Sequence, residues 1–452
     1  MMKKRLLFIT AFSLEQFGGA VRNNLKNLEY LGFEVDLLTL YSFHGQKSNH
    51  YSIYPRTKKM MLADIRRKLS RIPFLKDIYY FLHKPNDIVQ KSSSYLRKGN
   101  NVVVLEDESL PRVNNELILS KVNNIYDYFI LFGWQNMMSS STVEALYDRY
   151  HKPILIPCPD MYQLTGNCFY TADCEKYKDE CHNCPVFADR ENKEQAHLNF
   201  LYKKRVYKKT GCYLVANSHQ KKYILNSGII DDDHILLSNT IIDTDIFKPQ
   251  GRVACMKKFG LNQDVFYVLL RYINPNSSEY VRKGLHLLDK VFKIVYSQLS
   301  CEEREKLVVM FAGTNEKSCK ISYDFKTIAL GNLDLKNLIR AYNASSVFVC
   351  PSLDDAGPSM VNQSIACGTP VIAFNQGTAL DVIEDGYNGF KADVGDFEAL
   401  AQNVLKMFRM RESDLIKMRE NAREISLKKN SFESNSQRLK ERFLYIDKHF
   451  KG

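Results

Sequence analysis

One stretch of the chain concentrates residue types suited to a phosphorylated, hydroxyl-rich ligand. It reads Pro351-Ser352-Leu353-Asp354-Asp355-Ala356-Gly357-Pro358-Ser359-Met360-Val361-Asn362-Gln363-Ser364-Ile365-Ala366-Cys367-Gly368-Thr369-Pro370-Val371. The apolar run Val347–Val349 just before it predicts a strand, and Pro358 suits the first turn of a helix beginning near Ser359. The free N–H groups of that helix, with Gly357, Pro358, Ser359 and Met360 at its mouth, form an anion site that suits a phosphate. Asp355 stands just ahead of the helix and Gln363 roughly a turn inside it. A carboxylate and an amide so placed can both face a ligand and accept hydrogen bonds from sugar hydroxyls.

Four cysteines form a second constellation. Cys168, Cys174, Cys181 and Cys184 are spaced Cys-x5-Cys-x6-Cys-x2-Cys. In a reducing compartment the eleven cysteines of the chain are expected as thiols or metal ligands rather than disulfides. Four thiolates this close suit a structural, tetrahedral zinc ion, with free thiols as the alternative. Cys158, Cys212, Cys350 and Cys367 lie in apolar surroundings and read as core fillers.

Such groups need a scaffold, and the hydrophobic pattern supplies one. Short apolar runs recur at Leu6–Thr10, Val35–Leu40, Val102–Leu105, Tyr128–Phe132, Ile154–Ile156 and Tyr213–Ala216. A second series follows at Tyr267–Leu270, Leu307–Phe311, Thr327–Leu330, Val347–Val349 and Val371–Ala373. Continuous runs of this length fit strands buried on both faces of a parallel sheet. Helical patterns at Val21–Leu31, Leu285–Tyr296, Leu335–Ala341 and Ser359–Cys367 alternate with them, which predicts a doubly wound α/β architecture. The polar, proline-ended stretch Asn239–Pro249 divides the two series and reads as a linker. The expected organisation is residues 1–240, then 241–428, then a helix in 429–452 that crosses back to the first unit. Two such sheets set their strand C-terminal loops on either side of one crevice, which favours an enzyme with a large, polar, nucleotide-sized substrate.

Bulk properties narrow the classes. A chain of 452 residues suits two units of about 200 residues each. With 45% apolar and 25% charged residues it is expected to be soluble. No apolar run approaches the roughly 20 residues that span a bilayer. The opening Leu6–Thr10 run is too short for a signal peptide, so a cytoplasmic location is expected. The net charge of +12 is concentrated in Ser42–Lys98, with 13 Lys or Arg against three Asp. The remainder is nearly neutral, which argues against a nucleic-acid partner. Within the basic stretch, Lys58, Lys59, Arg66, Arg67 and Lys68 interleave with Leu62, Ile65, Leu69 and Ile72 at helical spacing. That pattern suits an amphipathic helix on an anionic membrane surface, or equally a core-facing helix with a solvated basic side.

The Pro351–Val371 string resembles the retaining glycosyltransferases of family 4, whose signature is two Glu separated by seven residues before an Ala-Cys-Gly-Thr-Pro sequence. Aligned on Cys367-Gly368-Thr369-Pro370, Asp355 takes the first Glu position and Gln363 the second. Arg282-Lys283-Gly284 resembles the family's Lys-Gly at a helix start, and Gly18-Gly19 its glycine loop after the first strand. Pro159-Asp160-Met161-Tyr162 and Thr165-Gly166-Asn167-Cys168 resemble a polysaccharide-building subgroup carrying His-Asp-x-Trp, Thr-Gly-x-Cys and three further cysteines. Here proline stands at the His position and tyrosine at the Trp position.

The resemblance implies a GT-B fold of two Rossmann-like units about a central cleft. It implies transfer of a sugar from a nucleotide-diphosphate sugar to a glycan or polyprenyl-linked glycan acceptor in capsule or O-antigen synthesis. Asp355, Lys283 and Asp160 become the expected catalytic residues. Lys283, with Arg271 or Arg282, would hold the donor diphosphate, and no catalytic divalent metal is expected. A lipid-linked acceptor would place the enzyme at the inner face of the cytoplasmic membrane. The competing expectations are another nucleotide-sugar enzyme of this fold and a non-catalytic glycan- or partner-binding scaffold. A dinucleotide oxidoreductase is disfavoured, because no Gly-x-Gly-x-x-Gly follows the first strand.

Overall fold

The computed structural model describes residues 4–12, 18–42, 48–55, 95–98, 101–104, 106–123, 125–277, 279–313 and 324–450. Most of Ser42–Lys98, including the amphipathic helix expected there, lies outside the described residues.

The strands of the first half are β1 (Arg5–Thr10), β2 (Glu34–Tyr41), β3 (His50–Tyr54), β4 (Tyr95–Lys98), β5 (Asn101–Val104), β6 (Tyr128–Phe132), β7 (Ile154–Pro157), β8 (Cys168–Tyr170), β9 (Tyr213–Ala216) and β10 (Ile235–Leu237). The second half carries β11 (Phe266–Arg271), β12 (Leu307–Ala312), β13 (Lys326–Ala329), β14 (Val347–Cys350), β15 (Val371–Phe374) and β16 (Gly389–Ala392). The helices that matter for the site are α1 (Gly18–Tyr30), α2 (Arg190–Thr210), α3 (Ser218–Ser227), α4 (Ser359–Ala366), α5 (Glu412–Asn430) and α6 (Phe432–His449).

Two parallel sheets result. One has seven strands in the order β10-β9-β7-β6-β1-β2-β3, the other six in the order β13-β12-β11-β14-β15-β16. Alternation along each strand explains the continuous apolar runs. Leu7 and Ile9 of β1 enter the core on one face, and Leu6 and Phe8 enter the core on the other. β11 divides likewise, with Tyr267 and Leu269 on one side and Val268 and Leu270 on the other.

Val102–Leu105 departs from expectation. Its strand β5 joins no parallel sheet but pairs antiparallel with β4 and β8. Val104 reaches the main core, and Val103 packs with Cys184, Phe187 and Ala196 in a small satellite cluster. A four-residue apolar run says that a strand is buried, not which sheet buries it.

The end of the chain returns to the first sheet. Phe443 and Ile446 of α6 share a core with Leu6, Phe8 and Val21, while Asp447 pairs with Lys4 and accepts from the Tyr128 hydroxyl. The Asn239–Pro249 stretch is braced rather than loose. Arg423 of α5 donates to the Thr244 and Phe247 carbonyls at 3.0 and 2.9 Å, and Asn430 donates to the Thr240 carbonyl at 2.7 Å.

Candidate active site

In the six-stranded sheet the winding reverses between β11 and β14, and the crevice beyond such a reversal is where doubly wound sheets bind ligands. A cavity of about 180 Å³ lies there, lined by Arg271, Lys283, Asp355, Gly357, Pro358, Ser359 and Met360. These seven are among the residues expected from the sequence; Ile273, Leu285 and the stretch from Phe348 to Ser352 line the cavity as well.

Local geometry explains their convergence. Gly284 has φ +68°, and a Cβ on it would fall 1.7 Å from the Pro351 carbonyl oxygen. Only glycine permits that approach, which sets Lys283 beside the loop that follows β14. There the Lys283 ammonium pairs with the Asp355 carboxylate, both side chains being largely buried. The other Asp355 oxygen accepts the Gly357 N–H at 3.2 Å. Buried Gln376 clamps the same loop: its Oε1 accepts the Asp355 N–H at 3.2 Å and its Nε2 donates to the Ser352 carbonyl at 2.8 Å. Gln376 was not among the residues expected from the sequence, since an isolated glutamine carries no spacing signal.

Three expected donor groups stand elsewhere. Arg282 does not line the cavity. It donates to the Asp354 carbonyl at 2.9 Å, lies over the Tyr170 ring at 3.8 Å, and so ties the loop after β14 to the opposite side. Gln363 accepts the Tyr342 hydroxyl at 3.0 Å and is also off the lining. Gly18 and Gly19 open α1, where Gly19 is exposed with nothing within 4 Å of an added Cβ and does not line the cavity.

The facing wall is the irregular segment after β7. Asp160 accepts the Tyr162 N–H at 2.9 Å. Burial pushes its carboxyl up to about 7, against the Tyr162 N–H and the Lys203 charge. Tyr170 is within electrostatic reach of Arg282, Asp355, Asp160 and Asp354, and so of both expected aspartates. Beyond it the Ala172 N–H bonds Asp354, whose carboxyl burial also raises.

Underneath lies a fully buried ion pair, Lys203 with Glu108 at 3.6 Å. Lys203 donates to the Tyr162 and Thr165 carbonyls at 2.6 and 3.0 Å and to Asn167 Oδ1 at 2.8 Å. Glu108 accepts the Tyr162 hydroxyl at 2.6 Å and the Ser140 N–H at 2.8 Å. This network holds the segment from below. Its glycine has a steric reason too: a Cβ on Gly166 would lie 2.0 Å from the Ala196 carbonyl of α2.

The four cysteines gather in one place, since Cys168 is within electrostatic reach of Cys174, Cys181 and Cys184. Their number and softness fit zinc. Among the described residues no three or more His, Cys, Asp or Glu side chains are grouped closely enough to hold a metal ion. The side chains are engaged otherwise. Cys168 and Cys184 turn into the apolar cluster of Val103 and Phe187, and Cys181 accepts the Gly166 N–H at 3.1 Å. Burial raises Cys168 and Cys184 and pushes Cys181 up to about 12.

Among the described residues no helix is long and apolar enough to cross a membrane.

Known proteins agree with this architecture. The chain is 32% identical over 129 residues to the capsular polysaccharide biosynthesis glycosyltransferase CapM of Staphylococcus aureus, covering 28% of this chain and 33% of that protein. It is 22% identical over 246 residues to the putative colanic acid biosynthesis glycosyl transferase WcaC of Escherichia coli, covering 52% of this chain and 56% of that protein. The chain thus spans a third to just over half the length of these curated relatives. Among solved structures, Anabaena Alr3699/HepE in complex with UDP-glucose superposes with a TM-score of 0.56 over 97% of this chain and 99% of that one, at 11% identity. The two sheets and their shared crevice are a GT-B fold, and residues 277–425, which carry Lys283 and Asp355, match the family described as glycosyl transferases group 1.

Proposed function

We propose that this chain is a glycosyltransferase that moves a sugar from a nucleotide-diphosphate sugar to a glycan acceptor, with retention at the anomeric carbon. The observation that carries the reading is the Lys283–Asp355 pair at the mouth of the cavity. A cation and an acceptor-only group sit where a diphosphate and its sugar would part. The incoming diphosphate takes Lys283, which frees Asp355 to accept hydrogen bonds from the sugar. Arg271 adds positive charge on the same lining.

In the transfer, the bond from the anomeric carbon to the diphosphate oxygen breaks and a bond to the acceptor oxygen forms. The acceptor proton passes to the leaving phosphate on the same face, so no protein nucleophile is needed. Lys283 and Arg271 stabilise the charge that gathers on the leaving group, which lies in a partly enclosed site where such charges act strongly. Asp160 and Tyr170 stand on the acceptor side.

The names of CapM and WcaC support an acceptor in cell-surface polysaccharide synthesis. A lipid-linked acceptor and contact with an anionic membrane rest on the basic sequence of Ser42–Lys98, and co-sedimentation with anionic against neutral liposomes tests them. Zinc rests on the convergence of the four cysteines; elemental analysis of protein purified without added metal reads about one ion per chain if they bind it and none if they stay thiols. The transferase reading itself is tested by release of nucleoside diphosphate from a panel of nucleotide sugars. Absence of release from every donor, with and without acceptor glycans, removes it.

A further inference from the structure

We propose that His219 is a sugar-contacting residue of the crevice, which fixes a hydroxyl of the transferred sugar opposite Asp355 and thereby sets donor selectivity. The inference rests on the nucleotide-sugar reading above and adds a residue that neither the sequence motifs nor the ion pair supply.

The placement comes from the first turn of α3, which follows β9 directly. Asn217 caps it, accepting the Gln220 N–H at 2.8 Å, and donates its side-chain amide to the Ala356 carbonyl. The Ser218 N–H donates to Asp381 at 3.3 Å. A Cβ on Gly357 would lie 3.9 Å from the Asn217 amide nitrogen. The turn is therefore seated on the loop that carries Asp355, and His219 within it, which lies beyond the lining of the 180 Å³ cavity, is half-buried and in electrostatic reach of that carboxylate.

The ring is also held in one orientation. Tyr223, one helical turn on, meets it edge-on with centroids 4.9 Å apart. Tyr223 in turn rests against buried Tyr177 of the cysteine segment at 5.8 Å. The cysteine segment thus props, through two tyrosines, a side chain at the crevice.

The chemistry is complementary to Asp355. Burial holds His219 down to about 4, with Lys222 acting the same way and Asp355 opposing. A neutral imidazole offers one N–H donor and one acceptor nitrogen, whereas the carboxylate only accepts. A sugar hydroxyl both donates and accepts, so it can donate to Asp355 while accepting from the His219 N–H. Without a charge, the imidazole does not compete with Lys283 for the diphosphate.

The test uses the full chain and its variants His219→Ala and His219→Gln. The readouts are kcat/KM with UDP-glucose, UDP-galactose, UDP-N-acetylglucosamine and GDP-mannose, and calorimetric affinity for free UDP and GDP. His219→Ala is expected to lower kcat/KM for the preferred donor by about tenfold to a hundredfold and to flatten the ratio between donors, because the hydroxyl loses its partner. Free-diphosphate affinity should stay at the wild-type value, and His219→Gln should restore part of the rate. Unchanged kcat/KM and donor ratios in His219→Ala overturn the inference while leaving the transferase reading intact. An equal loss of free-diphosphate affinity also overturns it, since the residue would then serve the diphosphate or the fold. A wild-type chain that releases nucleoside diphosphate from no donor of the wider panel, with and without acceptor glycans, overturns the transferase reading and this inference together.

Discussion

The loop after β14 and the segment after β7 each deliver an aspartate to the same crevice, but they hold it in different ways. Asp355 sits between a parallel strand and a helix, and its loop is closed by groups of the same half of the chain: the Gly357 N–H, Gln376 and Lys283. Asp160 opens a long irregular stretch in which Asn167, Ala172, Glu180, Cys181 and Asn183 all have positive φ. Left-handed backbone at non-glycine residues is unfavourable by about 1–3 kcal/mol each, so the surroundings must over-determine it. Lys203, Glu108 and the close approach of α2 at Gly166 do so from elements remote in sequence. The comparison teaches that Asp355 is held by partners at the crevice itself, while the segment of Asp160 takes its shape from a buried ion pair beneath it.

That difference can be broken from either end. The largest effect is expected at Lys283→Ala, which should reduce kcat/KM at least about a hundredfold by removing the charge opposite the leaving group. The circular dichroism spectrum should remain that of the wild type, because the donor loop keeps its other ties. Near-normal turnover would remove Lys283 from the chemistry.

Lys203→Met should act in the opposite sense, on stability before chemistry. It leaves Glu108 buried with no ion-pair partner and strips three acceptors of their donor, at a cost of about 3–5 kcal/mol in a fully buried pair. Denaturant unfolding should show the loss, and adding Glu108→Gln should recover part of it. A Lys203→Met protein as stable as wild type would mean that the segment after β7 supports itself after all.

The smallest effect sharpens the comparison through pH. The raised Asp160 carboxyl means that the folded protein keeps a proton which the unfolded chain loses near its ordinary value of 3.8. Its contribution to stability is therefore fully present below about pH 4 and is lost as pH rises through about 7. Thermal unfolding of Asp160→Asn should show less of this decline between those values than wild type does. Parallel curves would show that Asp160 titrates as an ordinary surface carboxylate.

The contrast also marks how much was legible beforehand. Arg271, Lys283, Asp355 and the residues from Gly357 to Met360 line one cavity because strand, tight loop and helix N-terminus are local features with local spacing. Arg282 and Gln363 belong to the same motifs, yet they turn to Tyr170 and Tyr342, which only packing could bring near. The cysteines were legible as a cluster, but the packing of Cys168 and Cys184 against Val103 and Phe187 is not written in their spacing.

By itself, then, the sequence determined the alternation of buried strands and helices and the strand–loop–helix that carries Asp355, since hydrophobic period and turn residues act over a few positions. The tertiary structure decided which sheet β5 joined, that Gln376 clamps the donor loop, that Lys203 supports the segment of Asp160, and that His219 and Tyr170 come within electrostatic reach of the same aspartate. Each of these is a contact between residues separated by some twenty to nearly two hundred positions, whose energy depends on burial and fit in three dimensions, quantities that no local pattern of residue types encodes.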